Sequence, residues 1–265
     1  MRVSISKIKL FKACRRAYEL KYIENLVPIK KADALETGKR YHELLEGLYK
    51  DGDIPECKPC KELAMALAYK KYIFPKFNVK EAEKWFEYEL DQSITLVGQI
   101  DGIAEDGAIV EHKTTGQENL EEYEFSLMWD EQLLAYMLVT GARKVYYTII
   151  KKPSIRQKQN ESDDEFFERM CVWYDEDTEQ KIKLVELTRT DEEVEEYRQA
   201  LEDICGTMQI CEMNKDIRNN FYRNTCHCSQ YGRRCEYSGI CLEKQLQQNY
   251  TEFERREDYV GNQTD

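Results

Sequence analysis

Proline is scarce in this sequence, five residues in 265, and glycine numbers only twelve. That composition excludes a collagen-like or Pro/Gly-rich disordered chain, and with 42% hydrophobic residues a sizeable core can form. Long apolar runs are missing. The two longest, 133–139 and 145–150, fall far short of the roughly 20 residues that a membrane span requires. No apolar stretch follows Met1-Arg2-Val3-Ser4-Ile5-Ser6, so no secretory leader is expected. No Gly/Ser linker and no internal repeat divides the chain. The expectation is a cytoplasmic protein without a membrane partner. It is read as one α/β domain over 1–245 followed by a polar, frayed tail over 246–265.

Charge is present but unevenly placed. The net charge is −12, which taken globally argues against a polyanionic partner. Residues 1–40 nevertheless hold 11 Lys and Arg against 4 acids, and residues 140–160 hold six basic residues and no acid. The acidic excess sits in 161–196, with 15 acids against 4 basic residues. A polyanion responds to the field within a Debye length of about 8–10 Å, so the global charge decides nothing.

Periodicity gives a coarse order of elements. Ser4 and Ser6 are candidate N-caps before an amphipathic stretch through Tyr22, bounded by Pro28. Helices are expected over 35–49 and 63–74, and a helical insertion over 28–90 as a whole. Strands are expected at 93–104 and 108–113, a helix at 127–139, a strand at 144–150, and helices at 163–174 and 191–213.

The strand pair is the most informative segment. If Glu105-Asp106-Gly107 is a three-residue turn with Gly107 left-handed, Ala104 pairs with Ala108 and Asp101 faces Glu111. Gln99, Asp101, Ile103, Ile109, Glu111 and Lys113 then share one side of the sheet. Carboxylates about 4.5–5.5 Å apart at Cβ repel unless a cation sits between them, and oxygen donors suit Mg²⁺ or Mn²⁺. A two-residue Asp-Gly turn would instead put Asp101 opposite His112 and split the pair. Two helices add spacing at i, i+4: His42 with Glu46, one turn after Gly38, and Gln132 with Tyr136.

Taken in order, G-x3-H-x3-E (Gly38, His42, Glu46), G-x-I-D (Gly98, Asp101), E-x-K (Glu111, Lys113) and Q-x3-Y (Gln132, Tyr136) resemble the PD-(D/E)XK nucleases of the RecB/AddB type. That group includes iron–sulfur exonucleases of CRISPR adaptation and phage recombination exonucleases. The departure is Ile100 where the family name implies Pro. The resemblance implies a restriction-endonuclease-like α/β core, a mixed sheet flanked by helices, with a helical insertion and a Cys-bound C-terminal segment. It implies His42, Asp101 and Glu111 as ligands of Mg²⁺ or Mn²⁺, with the backbone carbonyl of His112 an extra one. Lys113 would orient the attacking water, Gln132 and Tyr136 would contact DNA near the scissile phosphate, and Glu46 would support the ligands from behind. Arg15 and Arg16 are the basic residues expected to track the DNA backbone.

Ten cysteines in a chain without a secretory leader point to metal rather than disulfides. Cys226, Cys228, Cys235 and Cys241 cluster within 215–245, and Cys14 stands alone near the start. Four thiolates suit either Zn²⁺ or a 4Fe-4S cluster. One distant Cys with a trio ending C-x5-C resembles the iron–sulfur members of the family, which implies Cys14, Cys235 and Cys241, with Cys228 as the fourth ligand on its C-x6-C spacing to Cys235 and Cys226 as the alternative. The functional expectation is a metal-dependent deoxyribonuclease, an exonuclease acting on single strands or duplex ends. With no G-x4-G-K-[ST] phosphate loop, unwinding would fall to a helicase or recombination partner. The competing expectations are a non-catalytic DNA-binding or assembly subunit and a CRISPR-adaptation nuclease.

Overall fold

A single glycine sets the register of the central hairpin. In the computed structural model, which describes residues 1–29, 33–214, 218–229, 234–242 and 252–256, Gly107 has φ +83°. Its N–H donates to Ala104 O (2.9 Å), and Ala104 N–H donates to Ala108 O (2.8 Å). Strands β4 (Thr95–Ala104) and β5 (Ile109–Thr115) are therefore joined by the three-residue turn, with Ile103 opposite Ile109 and Gly102 opposite Val110. Gly102 is required for another reason. A Cβ there would lie 3.3 Å from the backbone oxygen of Glu81 and 3.2 Å from the Val79 side chain.

The chain divides into two compact units. One comprises Ala32–Trp85 and Gln99–Tyr197, and the other Met1–Lys31, Phe86–Gly98 and Arg198–Asp265. In the first, β3 (Val79–Glu89) pairs with β4, β5 runs parallel to β6 (Lys144–Lys151), and β6 runs antiparallel to β7 (Ile182–Thr188). A parallel neighbour needs a crossover. Helices α5 (Leu120–Ser126) and α6 (Glu131–Thr140) supply it, started by Asn119 and Asp130 side chains that accept N–H bonds two residues on.

Three more helices build the core of this unit: α3 (Asp33–Asp51), α4 (Lys61–Tyr72) and α7 (Asp163–Asp175). Tyr41, Leu44, Leu45 and Leu48 recur at i, i+3, i+4, i+7 and bury one stripe of α3 against Met65 and Tyr69 of α4, Met170 and Tyr174 of α7, and Ile150 and Ile182 of the sheet. Each such side chain contributes about 1.5–3 kcal/mol on burial. His42 stands beside that stripe, so the packing of α3 places it.

The stretch 28–90, expected as helical, carries α3 and α4 but ends in the 11-residue strand β3. Six charges (Lys80, Glu81, Glu83, Lys84, Glu87, Glu89) hide its alternation. Charges likewise hide β7, for which no strand was expected.

In the other unit, β1 (Arg2–Val3) pairs in parallel with the start of β4. Helix α1 (Ile5–Ala13) is capped by Ser4, whose Oγ accepts from Lys7 N–H (3.2 Å). Cys14, extended at φ −162°, breaks it before α2 (Arg15–Tyr18) and a π-helical turn, Glu19–Ile23. Strand β2 (Leu26–Pro28) pairs antiparallel with β8 (Phe253–Arg255). The segment expected to fray thus contains a strand. Of 246–265, only 252–256 is among the described residues, and of the Cys-rich segment Gly232 is not. The core here joins Cys14, Ala17, Leu20 and Leu26 to Tyr237 and Ile240, the latter in α9 (Ser238–Leu242). Helix α8 (Asp191–Met213) passes from one unit into the other. Among the described residues no helix is long and apolar enough to cross a membrane.

Candidate active site

Two carboxylates and an imidazole meet at the end of the hairpin. Beyond the Gly102–Val110 pair, the Asp101 carboxylate turns to accept the backbone N–H of His112 through Oδ2 (2.7 Å). Its Oδ1 lies 3.3 Å from Nδ1 of His42. Glu83 of β3 brings Oε1 to 3.9 Å from the same nitrogen. Ligand atoms of His42, Glu83 and Asp101 all lie within 4.8 Å of one another. The donor set, one imidazole nitrogen and two carboxylates with no ammonium among them, fits a hard divalent cation.

Glu111 lies in the same site but faces differently. Its Oε1 accepts from the Lys113 ammonium and from Gln132 Nε2 (3.3 Å), and its buried Oε2 has no hydrogen-bond partner. Lys113 Nζ also lies 3.4 Å from Gln132 Oε1. Gln132 Nε2 donates to the Tyr136 hydroxyl (2.7 Å), and that hydroxyl donates to Gln99 O (2.7 Å). Tyr136 is only 5% exposed, so the Q-x3-Y pair forms a rim that couples α6 to the sheet.

Electrostatics follow from burial against pairing. Burial and the Asp101 charge raise Glu111 to about 7, with Lys113 opposing. Burial works against a charged His42, yet Asp101 and Glu83 lift it to about 10. Asp101, despite burial, is held well below the usual carboxylate range by His42, His112 and Lys113. Burial alone would lower Lys113, but Glu111 and Asp101 raise it. Glu83 is raised by burial, with His42 opposing. The His112 ring is buried and pushed down to about 3, so it is neutral; Nε2 is hydrogen-bonded to Tyr49 Oη (2.9 Å) and Nδ1 to Thr148 Oγ1. Its side chain is occupied by structure and only its backbone faces Asp101. Glu46 is paired with Lys50.

The thiols gather in the other unit. Burial raises Cys235 and Cys241, and the nearby Cys14 and Cys228 thiols push both further. Cys235 N–H donates to Cys228 O (2.9 Å), and Asn224 N–H donates to Cys14 Sγ (3.4 Å). Cys226 is exposed. Cys14, Cys228, Cys235 and Cys241 thus lie within electrostatic reach of one another, and among the described residues no three of their sulfurs lie within 4.8 Å of one another; as residue types they suit a Cys-ligated metal group. Arg15 lies over the Phe11 and Tyr222 rings (4.7 and 5.0 Å), and Arg16 pairs with Glu19 and Glu24, so both guanidiniums already have partners within their unit.

Glu83 is the residue that sequence reasoning missed. It belongs to no motif, and the one available signal was its place between Glu81 and Trp85 in a charged segment.

The chain is similar in structure to SSO0001, at 15% identity over 77% of this chain and 75% of that one, with a TM-score of 0.42. It is similar to a phage related exonuclease from Haemophilus somnus 129PT, at 16% identity over 71% and 91% with a TM-score of 0.36. It is also similar to an alkaline exonuclease from Laribacter hongkongensis, at 12% identity over 81% and 93% with a TM-score of 0.36. No curated protein matches its sequence. The sequence profile of the PD-(D/E)XK nuclease superfamily, however, matches residues 2–73 and 61–242, a span that takes in the mixed sheet, its flanking helices and every residue around Asp101. The chain belongs to the PD-(D/E)XK nuclease superfamily.

Proposed function

We propose that this chain is a divalent-metal-dependent deoxyribonuclease, acting as an exonuclease on single strands or duplex ends. The observation that carries the reading is the convergence of His42 and Asp101 beside the buried Glu111 and its half-buried partner Lys113. DNA binding alone requires no such arrangement. His42 and Asp101 would hold Mg²⁺ or Mn²⁺, with Glu111 and the His112 carbonyl as the further ligands that the family resemblance implies. A bound divalent ion supplies Lewis-acid polarisation of the scissile phosphate. Lys113, kept charged by Glu111, positions the attacking water and stabilises negative charge growing on the phosphoryl oxygens. The water oxygen attacks phosphorus and gives up a proton to solvent, the P–O bond to the 3′ oxygen breaks, and the leaving 3′ oxygen takes up a proton from solvent, leaving a 5′ phosphate and a 3′ hydroxyl. Gln132, fixed through Tyr136, holds the Lys113–Glu111 pair in place.

The same reading gives Cys14, Cys228, Cys235 and Cys241 a 4Fe-4S cluster of structural role, which would couple metal uptake to folding of their unit. It is supported by the electrostatic effect of Cys14 and Cys228 on Cys235 and Cys241. Anaerobically purified protein should be brown and carry iron; a colourless protein with stoichiometric zinc rejects the cluster. The main test is digestion of 5′- and 3′-labelled single- and double-stranded DNA with Mg²⁺, Mn²⁺ or EDTA. Progressive shortening from one end, abolished by EDTA, is expected. Intact DNA under every metal condition overturns the reading in favour of a non-catalytic DNA-binding subunit.

A further inference from the structure

Gln99 occupies the unspecified position of G-x-I-D, two residues before Asp101 and on the same side of β4. Its side-chain amide and its backbone carbonyl are both engaged, in different halves of the site. Gln99 Nε2 donates to Glu83 O (3.1 Å). Gln99 O accepts from the Tyr136 hydroxyl (2.7 Å), which accepts from Gln132 Nε2 (2.7 Å). Gln132 in turn touches Glu111 Oε1 (3.3 Å) and Lys113 Nζ (3.4 Å). One residue thereby joins Glu83, which faces His42 and Asp101, to the Glu111–Lys113 pair.

The residue it holds is strained. Glu83 has φ +49° inside β3, a left-handed conformation that is an outlier for a glutamate in a strand. Such a conformation costs about 1–3 kcal/mol and persists where the surroundings over-determine it. The Gln99 amide supplies that restraint, and the Glu83 side chain is left 18% exposed beside His42. Electrostatics opposes another carboxylate there unless a cation is to be bound. The buried Glu111 Oε2 has no hydrogen-bond partner, and Asp101 and His42 are near enough to act on that carboxylate electrostatically. Glu83, Asp101 and Glu111, with the Lys113 ammonium and a neutral imidazole, carry −2, which one divalent ion balances. Side-chain donors from His42, Glu83, Asp101 and Glu111 leave room, among about six positions, for the His112 carbonyl and a phosphate oxygen.

We propose that Gln99 is a positioning residue: it holds Glu83 in its strained conformation, so that the Glu83 carboxylate joins His42, Asp101 and Glu111 around one divalent ion. The inference rests on the nuclease reading for its purpose, but it is read out by ion binding and not by cleavage. A purely structural role for Gln99, tying β3 to β4, is the competing explanation.

The experiment titrates Mn²⁺ into full-length protein freed of divalent ions, followed by isothermal calorimetry and by the Mn²⁺ electron paramagnetic resonance signal. Wild type is compared with Gln99→Met, Glu83→Gln, the variant carrying both, and Glu111→Gln, with circular dichroism to confirm folding. Gln99→Met removes the amide donor but keeps the side-chain length and the carbonyl that Tyr136 uses. It should weaken the tightest Mn²⁺ site about tenfold, the cost of losing a group that supports metal ligands. Glu83→Gln and Glu111→Gln should each weaken the same site about tenfold or more. The combined variant should stay within about threefold of Glu83→Gln alone, because Gln99 acts through Glu83. Losses that multiply in the combined variant mark the structural role and overturn the proposal. Gln99→Asn, whose amide is a methylene short of Glu83 O, carries the test if Gln99→Met does not fold. Wild-type affinity in Gln99→Met, or in Gln99→Asn where that variant must serve, overturns the proposal, as does wild-type affinity in Glu83→Gln. Wild-type affinity in Glu111→Gln overturns the single shared ion. Absence of DNA cleavage by the wild type with this binding pattern intact would sink the nuclease reading and leave the role of Gln99 standing.

Discussion

Burial of His112 makes a quantitative claim about acid stability. The ring is 1% exposed, bonded on both nitrogens, and shifted from 6.5 to about 3. A histidine depressed in the folded state takes up its proton first in the unfolded chain. Its contribution is therefore complete above about 6.5 and is lost as pH falls toward about 3. At 1.36 kcal/mol per unit, the loss between pH 7 and pH 5 amounts to about 2 kcal/mol. Glu111 acts oppositely. Raised from 4.5 to about 7, it contributes stability below 4.5 that disappears as pH rises through about 7. The net pH profile of the wild type thus hides both, and the measurement must be a difference. Urea unfolding of wild type and His112→Gln at pH 7, 6 and 5, extrapolated to water, isolates the histidine. The variant should be less stable at pH 7, from imperfect replacement of two hydrogen bonds, by about 1–3 kcal/mol. That gap should close by about 2 kcal/mol at pH 5. A gap that stays constant across the three pH values would refute the assignment of His112 as a buried neutral ring.

Four shorter predictions follow the same geometry. Lys113→Ala should lower the single-turnover cleavage rate by about 10²–10³, the usual cost of losing a group that stabilises developing charge. DNA affinity by fluorescence anisotropy should change little, and undiminished cleavage would remove Lys113 from the mechanism. Tyr136→Phe leaves the Gln99 carbonyl without its donor and should cost about 1–3 kcal/mol in chemical denaturation; no change would show that the rim is not structural. Gly107→Ala forces a Cβ into φ +83° and should cost about 1–2 kcal/mol, although open space surrounds the position. Cys14→Ser should lower the iron content of anaerobically purified protein, whereas Cys226→Ser should not, and the opposite result would reassign the ligand.

The hairpin was legible from residue spacing because it depends on short-range rules, whereas the family entered through the resemblance of four motifs. A glycine at Gly107 fixes the turn, the turn fixes the pairing of Ile103 with Ile109, and period 2 then puts Asp101, Glu111 and Lys113 on one side. Period 3.6 does the same for His42 on α3 and for Gln132 with Tyr136 on α6. Tertiary structure decided what those side chains face. Glu83 reaches His42 only because a left-handed residue kinks a strand whose charges conceal it. Glu111 leans on Lys113 and Gln132 because burial leaves its carboxylate no water to turn to. The chain path brings Cys228, the ligand that the C-x6-C spacing favours, within electrostatic reach of Cys235 and Cys241 together with Cys14. Local sterics act over a few residues and are written in order along the chain. The pairing of buried charges depends on which segments the packed core brings within a few ångströms, and no periodicity records that.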